Sequence, residues 1–375
     1  MANTEIEIPE EDQITTKTLL HEAIPLTGTI VSGTYADNNI KNYSHGMFQS
    51  VYDYPYLSSS ANHVFDITYG YAASSEFSSS TNTQNTKKIN IYNQMAQVLM
   101  GYDNNGAIKL FDEDGDLTGG TKMKECVFLT FSRLLMKDEI KKGSFSLELG
   151  ISASFDQTTA AVKPIMNKRV KLSDVSAATS YKINSPVGEY GILIADTSDG
   201  HGTRLTLDGG TLAAGQKAGL IFYQAGVAVI TASVFSTASA GGIIVNGEGA
   251  PVMLSGAPTG VRTIKHLLAS SSISASADAF RTRMHNLNFN NTVELNSTIY
   301  FCRMKHNDFN YSANPTYLSS SQIRVKTANT DTPVAYVTSI GLYDDDNNLL
   351  AVGKLSEPLR KDPTIEYTLR ARLDY

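Results

Sequence analysis

The polar and apolar positions of IEYTLRARLDY, residues 365–375, alternate without a break. Ile365, Tyr367, Leu369, Ala371, Leu373 and Tyr375 are apolar; Glu366, Thr368, Arg370, Arg372 and Asp374 between them are polar. Successive side chains of a β-strand point to opposite faces, so this period predicts a half-buried strand. Chain ends fray unless something ties them down. The regularity therefore predicts a ladder partner for this strand, in its own sheet or on a neighbouring subunit. SFSLELGISASF repeats the alternation, with Phe145, Leu147, Leu149, Ile151, Ala153 and Phe155 on one face, and VFDITYGY does so with Phe65, Ile67 and Tyr69.

Over 87–100 the period changes to that of a helix. Ile91, Met95, Val98 and Leu99 fall on one face, and Gly101 supplies a stop. A second helix is predicted over 122–137 from Met123, Val127, Phe131, Leu134 and Leu135, although the run CVFL within it reads equally well as a strand. A third is predicted near 275–287, with Phe280, Met284 and Leu287 in register. After it come the strand STIYFCRM and a meander: QIRVKT, VAYVTSIGLY, a DDDNN turn, LLAVGKL and the alternating end.

Composition adds boundaries. Residues 1–25 hold five Glu and one Asp against one Lys, the pattern of an arm that is mobile until it docks. Between about 160 and 262 charge thins, and short strand-like pieces such as GILIAD, TRLTL, AGLIFYQ and GGIIVN alternate with Gly-rich turns. The expected fold is mainly β with a few helices (α+β). An antiparallel sheet or sandwich is built from 43–159 and 263–375, a small Gly-rich β-domain is inserted at 160–262, and an acidic arm occupies 1–42.

The formal net charge of −6 and the lack of a basic stripe argue against a nucleic-acid partner. No apolar run is long enough to span a bilayer, and the first residues do not read as a signal peptide, so no membrane is expected and synthesis is expected in a cytoplasm. Cys126 and Cys302 each lie in an apolar run and are expected to be free, buried thiols.

The search for chemistry returns little. FDEDGDLTGG has the flavour of a calcium loop, but with Gly115 at the sixth position the first is Leu110 and the twelfth Thr121, so the ligand set fails at both ends and a solvated turn is expected. DDDNN at 344–348 is expected to be a hairpin turn, and His201 a tolerated turn residue. No catalytic, metal or cofactor-binding residue emerges, and the chain is not expected to be an enzyme. The 19 Tyr beside no Trp point elsewhere. Tyr is amphipathic and suits protein contacts, and Pro55 among Tyr52, Tyr54 and Tyr56 predicts an edge strand or extended arm. These three tyrosines, with Leu369 and Leu373 on the final strand, are the candidate assembly-interface residues.

Several long stretches carry a resemblance: YDYPYLSSSANHVFDITYGY, KKINIYNQMAQVLMGYD, FLTFSRLLMKDEIKKGSFSLELG, NPTYLSSSQIRVKT, PVAYVTSIGLYDDDNNLLAVGKLSEPLRKDP and LRARLDY. They resemble virion structural proteins of large contractile-tailed phages of marine bacteria and cyanobacteria, over about 43–155 and 263–375. The resemblance implies a tail, neck or baseplate component in the virion, made in the host cytoplasm. It would work by assembly with other virion proteins and copies of itself, in a symmetric homo-oligomer. It carries no catalytic residues and no cofactor. The alternative is a receptor- or carbohydrate-binding adhesin of tail-fibre type, with the Gly-rich central segment as its binding module.

Overall fold

A computed structural model describes residues 6–25, 39–150, 155–156, 163–164, 169–196, 217–232, 269, 271–281, 284–312, 318–319, 322–323, 328 and 330–375. The chain divides into two compact units, Met1–Leu20 with Glu294–Tyr375, and His21–Val293. The expected strands TRLTL and GGIIVN, the alternating positions Ile151 and Ala153, and His201 lie outside the described residues.

In chain order the strands begin with β1 (Gln13–Pro25), β2 (Ile40–Asn42), β3 (Gln49–Tyr52) and β4 (His63–Tyr71). Helix α1 (Asn85–Leu99) precedes β5 (Phe111–Asp112), β6 (Lys122–Met123) and β7 (Glu125–Phe131). The short α2 (Arg133–Met136) leads to β8 (Glu139–Ile140), β9 (Ser146–Gly150), β10 (Phe155–Asp156), β11 (Lys163–Pro164) and β12 (Arg169–Ser173). Then come α3 (Ala177–Ser180), β13 (Lys182–Ser185), β14 (Gly188–Asp196), β15 (Lys217–Phe222), β16 (Val227–Thr231) and α4 (Ile273–Arg281). Last are β17 (Met284–Met304), β18 (Leu318–Ser319), β19 (Gln322–Ile323), β20 (Ala335–Tyr343), β21 (Leu349–Lys361) and β22 (Tyr367–Asp374). The protein is mainly β, as its alternations predict.

The larger unit is an antiparallel sheet in the order β17-β9-β12-β14-β15-β16-β7-β4-β3-β2. It curls over its own core. Phe289 on β17 and Phe131 on β7 have ring centroids 5.2 Å apart although five strands separate them in the order. That inner core joins Leu147, Leu149 and Leu287 to Phe65, Ile67 and Leu129. On the other face of the central strands, Phe128, Leu220, Phe222 and Val229 pack with Ile91, Tyr92, Ala96 and Leu99 of α1. Central strands covered on both faces lose their alternation: every residue of β16 is buried.

That loss explains the first correction. Residues 125–131 lie within the expected helix, but the alternative strand reading of CVFL is the one observed: they form β7 between β16 and β4, with Thr231↔Cys126 and Phe65↔Phe131 at the limits of its two ladders. Only Arg133–Met136 is helical there. The helix expected near 275–287 ends at Arg281, and Met284 and Leu287 belong to β17. Helix α1 stands where expected, but its buried face is Lys88, Ile91, Tyr92, Ala96 and Leu99, and Val98 is exposed. Gly101, at φ +74°, ends it by donating its N–H to the Ala96 carbonyl.

Two boundaries also differ from expectation. Residues 13–25 of the acidic arm form the long strand β1. The stretch 160–262 is not set apart in the sheet: its β12 pairs β9 from one flank, and its β16 pairs β7. Its described strands are structural members of the larger unit. Pro55 sits beyond β3, in a turn closed by the Ser58 N–H on its carbonyl, and β3 itself lies between β2 and β4. Proline is tolerated here because that position owes no ladder donor.

Candidate assembly surface

In the smaller unit, β17 is paired by β1 on one side and by β22 on the other. The β17–β22 ladder runs from Ser297↔Asp374 to Met304↔Tyr367. The β1 side is fixed by polar contacts. Arg303 Nε donates to both carboxylate oxygens of Asp12 at 2.8 Å, Lys17 pairs with Glu294, and the Thr15 and Thr298 hydroxyls meet at 3.0 Å.

Strands β20 and β21 form a separate hairpin, paired from Ala335↔Lys361 to Tyr343↔Leu349. Its turn is DDDNN, as expected. The Asp344 carboxylate accepts from the backbone N–H groups of Asp346 and Asn348 and from the Asn348 amide, bonds that hold it below the usual carboxylate range, and Asn347 takes φ +61°. Between the pairs Val337↔Leu359 and Ser339↔Lys354 the register shifts, and Pro358 falls in that irregularity, where no ladder donor is lost. The wholly buried Lys361 anchors the hairpin base, donating to the carbonyls of His306 and Asp362 and to Asn310 Oδ1. His306, four residues past Cys302, is engaged by Glu366, whose carboxyl the imidazole holds low.

The described residues of this unit form almost no core. Met304 and Ala335 are its only buried apolar side chains among the described residues. Tyr336, Tyr343, Leu349, Leu350 and Val352 on the hairpin are exposed, as are Ile14 and Leu19 on β1. A lone two-stranded hairpin is marginal in water, and three strands become stable by covering an apolar face. Here neither that face nor the outer ladder edges of β20, β21 and β22 are covered within the described residues.

Of the interface residues expected from the sequence, Leu369 and Leu373 lie on β22 within this unit and are half-buried, not core. The tyrosines lie in the other unit: Tyr52 and Tyr56 are half-buried with centroids 6.4 Å apart, and Tyr54 is exposed. The structure thus places the candidate residues in two groups. The exposed hairpin row was missed, because VAYVTSIGLY and LLAVGKL read as ordinary members of a covered meander.

The acidic loop between β5 and β6 brings Asp112, Asp114 and Asp116 carboxylate oxygens within 4.8 Å of one another. Asp116 escaped the sequence reading, which anchored its register on Gly115. Lys122 Nζ lies 2.8 Å from the buried Asp112, and Lys217 Nζ 3.5 Å from Asp114. Two ammonium groups thus already occupy the field that a cation would need. Gly115 and Leu117, both with positive φ, shape the turn, and Asp112 Oδ2 accepts the Leu117 N–H.

No helix among the described residues is long and apolar enough to cross a membrane. No family model matches the chain, and no curated protein or solved structure matches it.

Proposed function

We propose that the chain is a structural component of a tailed-phage virion, in its tail, neck or baseplate, and that it acts by assembling with copies of itself through the smaller unit. The observation that carries assembly is the scarcity of core among the described residues of this unit: exposed Leu350 and Val352 and strand edges left open there would gain stability by being covered by another chain. A second copy is the occupant the chemistry favours. The hairpin and the outer edge of β22 are different surfaces of one chain, and joining one to the other head to tail builds a ring when the rotation between copies closes and a tube or filament when it does not. The sequence resemblance supplies the particle; the physical reading of the unit supplies the mode of action. No reaction is assigned.

The test is mass spectrometry of purified particles from cells carrying the native genome, followed by reconstruction of the particle. The reading expects the chain at a fixed stoichiometry, with its hairpin against a neighbouring copy. Particles that form without the chain would overturn it.

A further inference from the structure

In the smaller unit, the β20–β21 hairpin and the β17–β22 ladder carry opposite charge. From Ala335 to Gly353 the hairpin holds three acids, Asp344, Asp345 and Asp346, and no base. The Asp344 carboxylate closes the turn, but Asp345 and Asp346 are exposed at its tip. On the ladder, residues 297–304 and 367–374 hold three arginines and one acid, Asp374. Residues directly opposite on paired strands share a face, as do residues two apart on one strand. The registers Phe301↔Arg370, Ile299↔Arg372 and Arg303↔Thr368 therefore set all three arginines on one face, around Ile299 and Phe301.

Arg303 pairs with Asp12 and Arg372 with Asp374, yet their side chains stay 58% and 60% exposed. Arg370 is exposed and meets no acid among the described residues, and Asp345 and Asp346 meet no base there. Both surfaces also carry apolar groups. Gly341 pairs with Val352, and a Cβ on Gly341 would lie 2.8 Å from Tyr343 Cε2 and 3.3 Å from Leu349 Cδ1. Tyr343, Leu349 and Val352 thus form one exposed row behind the acidic tip. Ile299 and Phe301, between the arginines, are half-buried.

We infer that the hairpin tip of one copy docks on the arginine face of the β17–β22 ladder of the next. The inference rests on the assembly reading and names its contact. Asp345 and Asp346 meet Arg370 and Arg372, and the row of Tyr343, Leu349 and Val352 covers Ile299 and Phe301. A second copy is the occupant because each chain carries both complementary surfaces, while Asp345, Asp346 and Arg370 find no opposite charge among its own described residues. Complementary charge speeds encounter and fixes which surfaces meet, and like charge in the same place repels. The apolar row adds burial, which charge at an exposed rim does not supply.

The experiment is sedimentation velocity of the full chain with two charge reversals, Asp345→Lys/Asp346→Lys and Arg370→Glu. All three positions are exposed, so both variants should keep the wild-type thermal midpoint. Each alone should associate roughly ten-fold more weakly than the wild type. Mixed together they should associate again, because the reversed tip of one faces the reversed strand of the other. Added salt should weaken the wild-type oligomer. Should Arg370→Glu lower the midpoint, Arg370→Gln takes its place and must still weaken association. A wild-type oligomer indifferent to the reversals, or a mixture no better than its parts, overturns this contact and leaves assembly standing. A wild-type chain that stays monomeric sinks the assembly reading and this contact with it.

Discussion

Asn296 and Tyr375 exchange both backbone hydrogen bonds, the N–H of each donating to the carbonyl of the other at 2.9 and 2.8 Å. The pairing extends the β17–β22 ladder through residue 375, so the alternating stretch is tied down by its neighbour in the same sheet. Its apolar row is only half covered, however. Leu373→Ala should therefore cost less than the roughly 2–5 kcal/mol of a fully buried leucine. Arg372→Ala loses an exposed pair with Asp374 and a bond to Ser297 Oγ, at about 1 kcal/mol or less. Chemical denaturation of the two variants should rank Leu373→Ala as the weaker protein. The reverse ranking would show that the row contributes nothing within the chain.

Gly70 on β4 fits against the backbone of α1. A Cβ there would lie 2.6 Å from the Lys88 carbonyl oxygen and 2.8 Å from the Tyr92 nitrogen. Backbone atoms cannot swing aside as a side chain would, so Gly70→Ala should push α1 off the sheet at a cost of about 1–3 kcal/mol. An unchanged thermal midpoint in that variant would contradict the packing.

Asp174 offers a pH test. Burial raises its carboxyl above the ordinary range, against the pull of its bonds to Gly143, Tyr223 and Phe145. A raised folded value means its stabilising contribution is full below the unfolded value and is lost as pH rises through the folded one. Asp174→Asn should abolish that part of the slope above about pH 4, and leave one of the donors it now accepts, Gly143 N–H, Phe145 N–H or the Tyr223 hydroxyl, unpaired at about 1–3 kcal/mol. Denaturation midpoints across this range check both effects. A variant with the wild-type slope would show that another group titrates there.

The two thiols should separate kinetically. Cys126 is wholly buried, and that burial, with the Glu125 charge, drives its thiol upward; Cys302 is half-buried and raised by burial alone. A thiol reagent should modify Cys302 slowly in the native protein and Cys126 only after unfolding. Equal native rates would contradict the placement of β7 in the core.

The sequence disclosed the elements that keep one face wet. The alternation of 365–375 and the start of α1 were legible because polar and apolar residues segregate there. β7 was legible only as the alternative reading of CVFL within an expected helix, because nearly all of ECVFLTF is buried and no period separates strand from helix. The Gly-rich texture of 160–262 suggested a separate domain. In the sheet, Gly219 instead admits the Val229 carbonyl at close range, and Gly191 the Tyr223 hydroxyl, so glycine there serves close strand packing. The hairpin's exposure was hidden, since an apolar strand reads alike whether its cover comes from its own chain or another.

Assembly through that hairpin is the central claim, and sedimentation velocity tests it most directly. Leu350 and Val352 are 65% and 63% exposed, so aspartate at both positions should leave the fold intact while placing charge in the proposed contact. The wild-type chain should sediment as an oligomer of constant stoichiometry, and the Leu350→Asp/Val352→Asp variant as a folded monomer with an unchanged thermal midpoint. A wild-type chain that remains monomeric at the highest concentration it tolerates, or a variant that assembles as well as the wild type, would contradict the account.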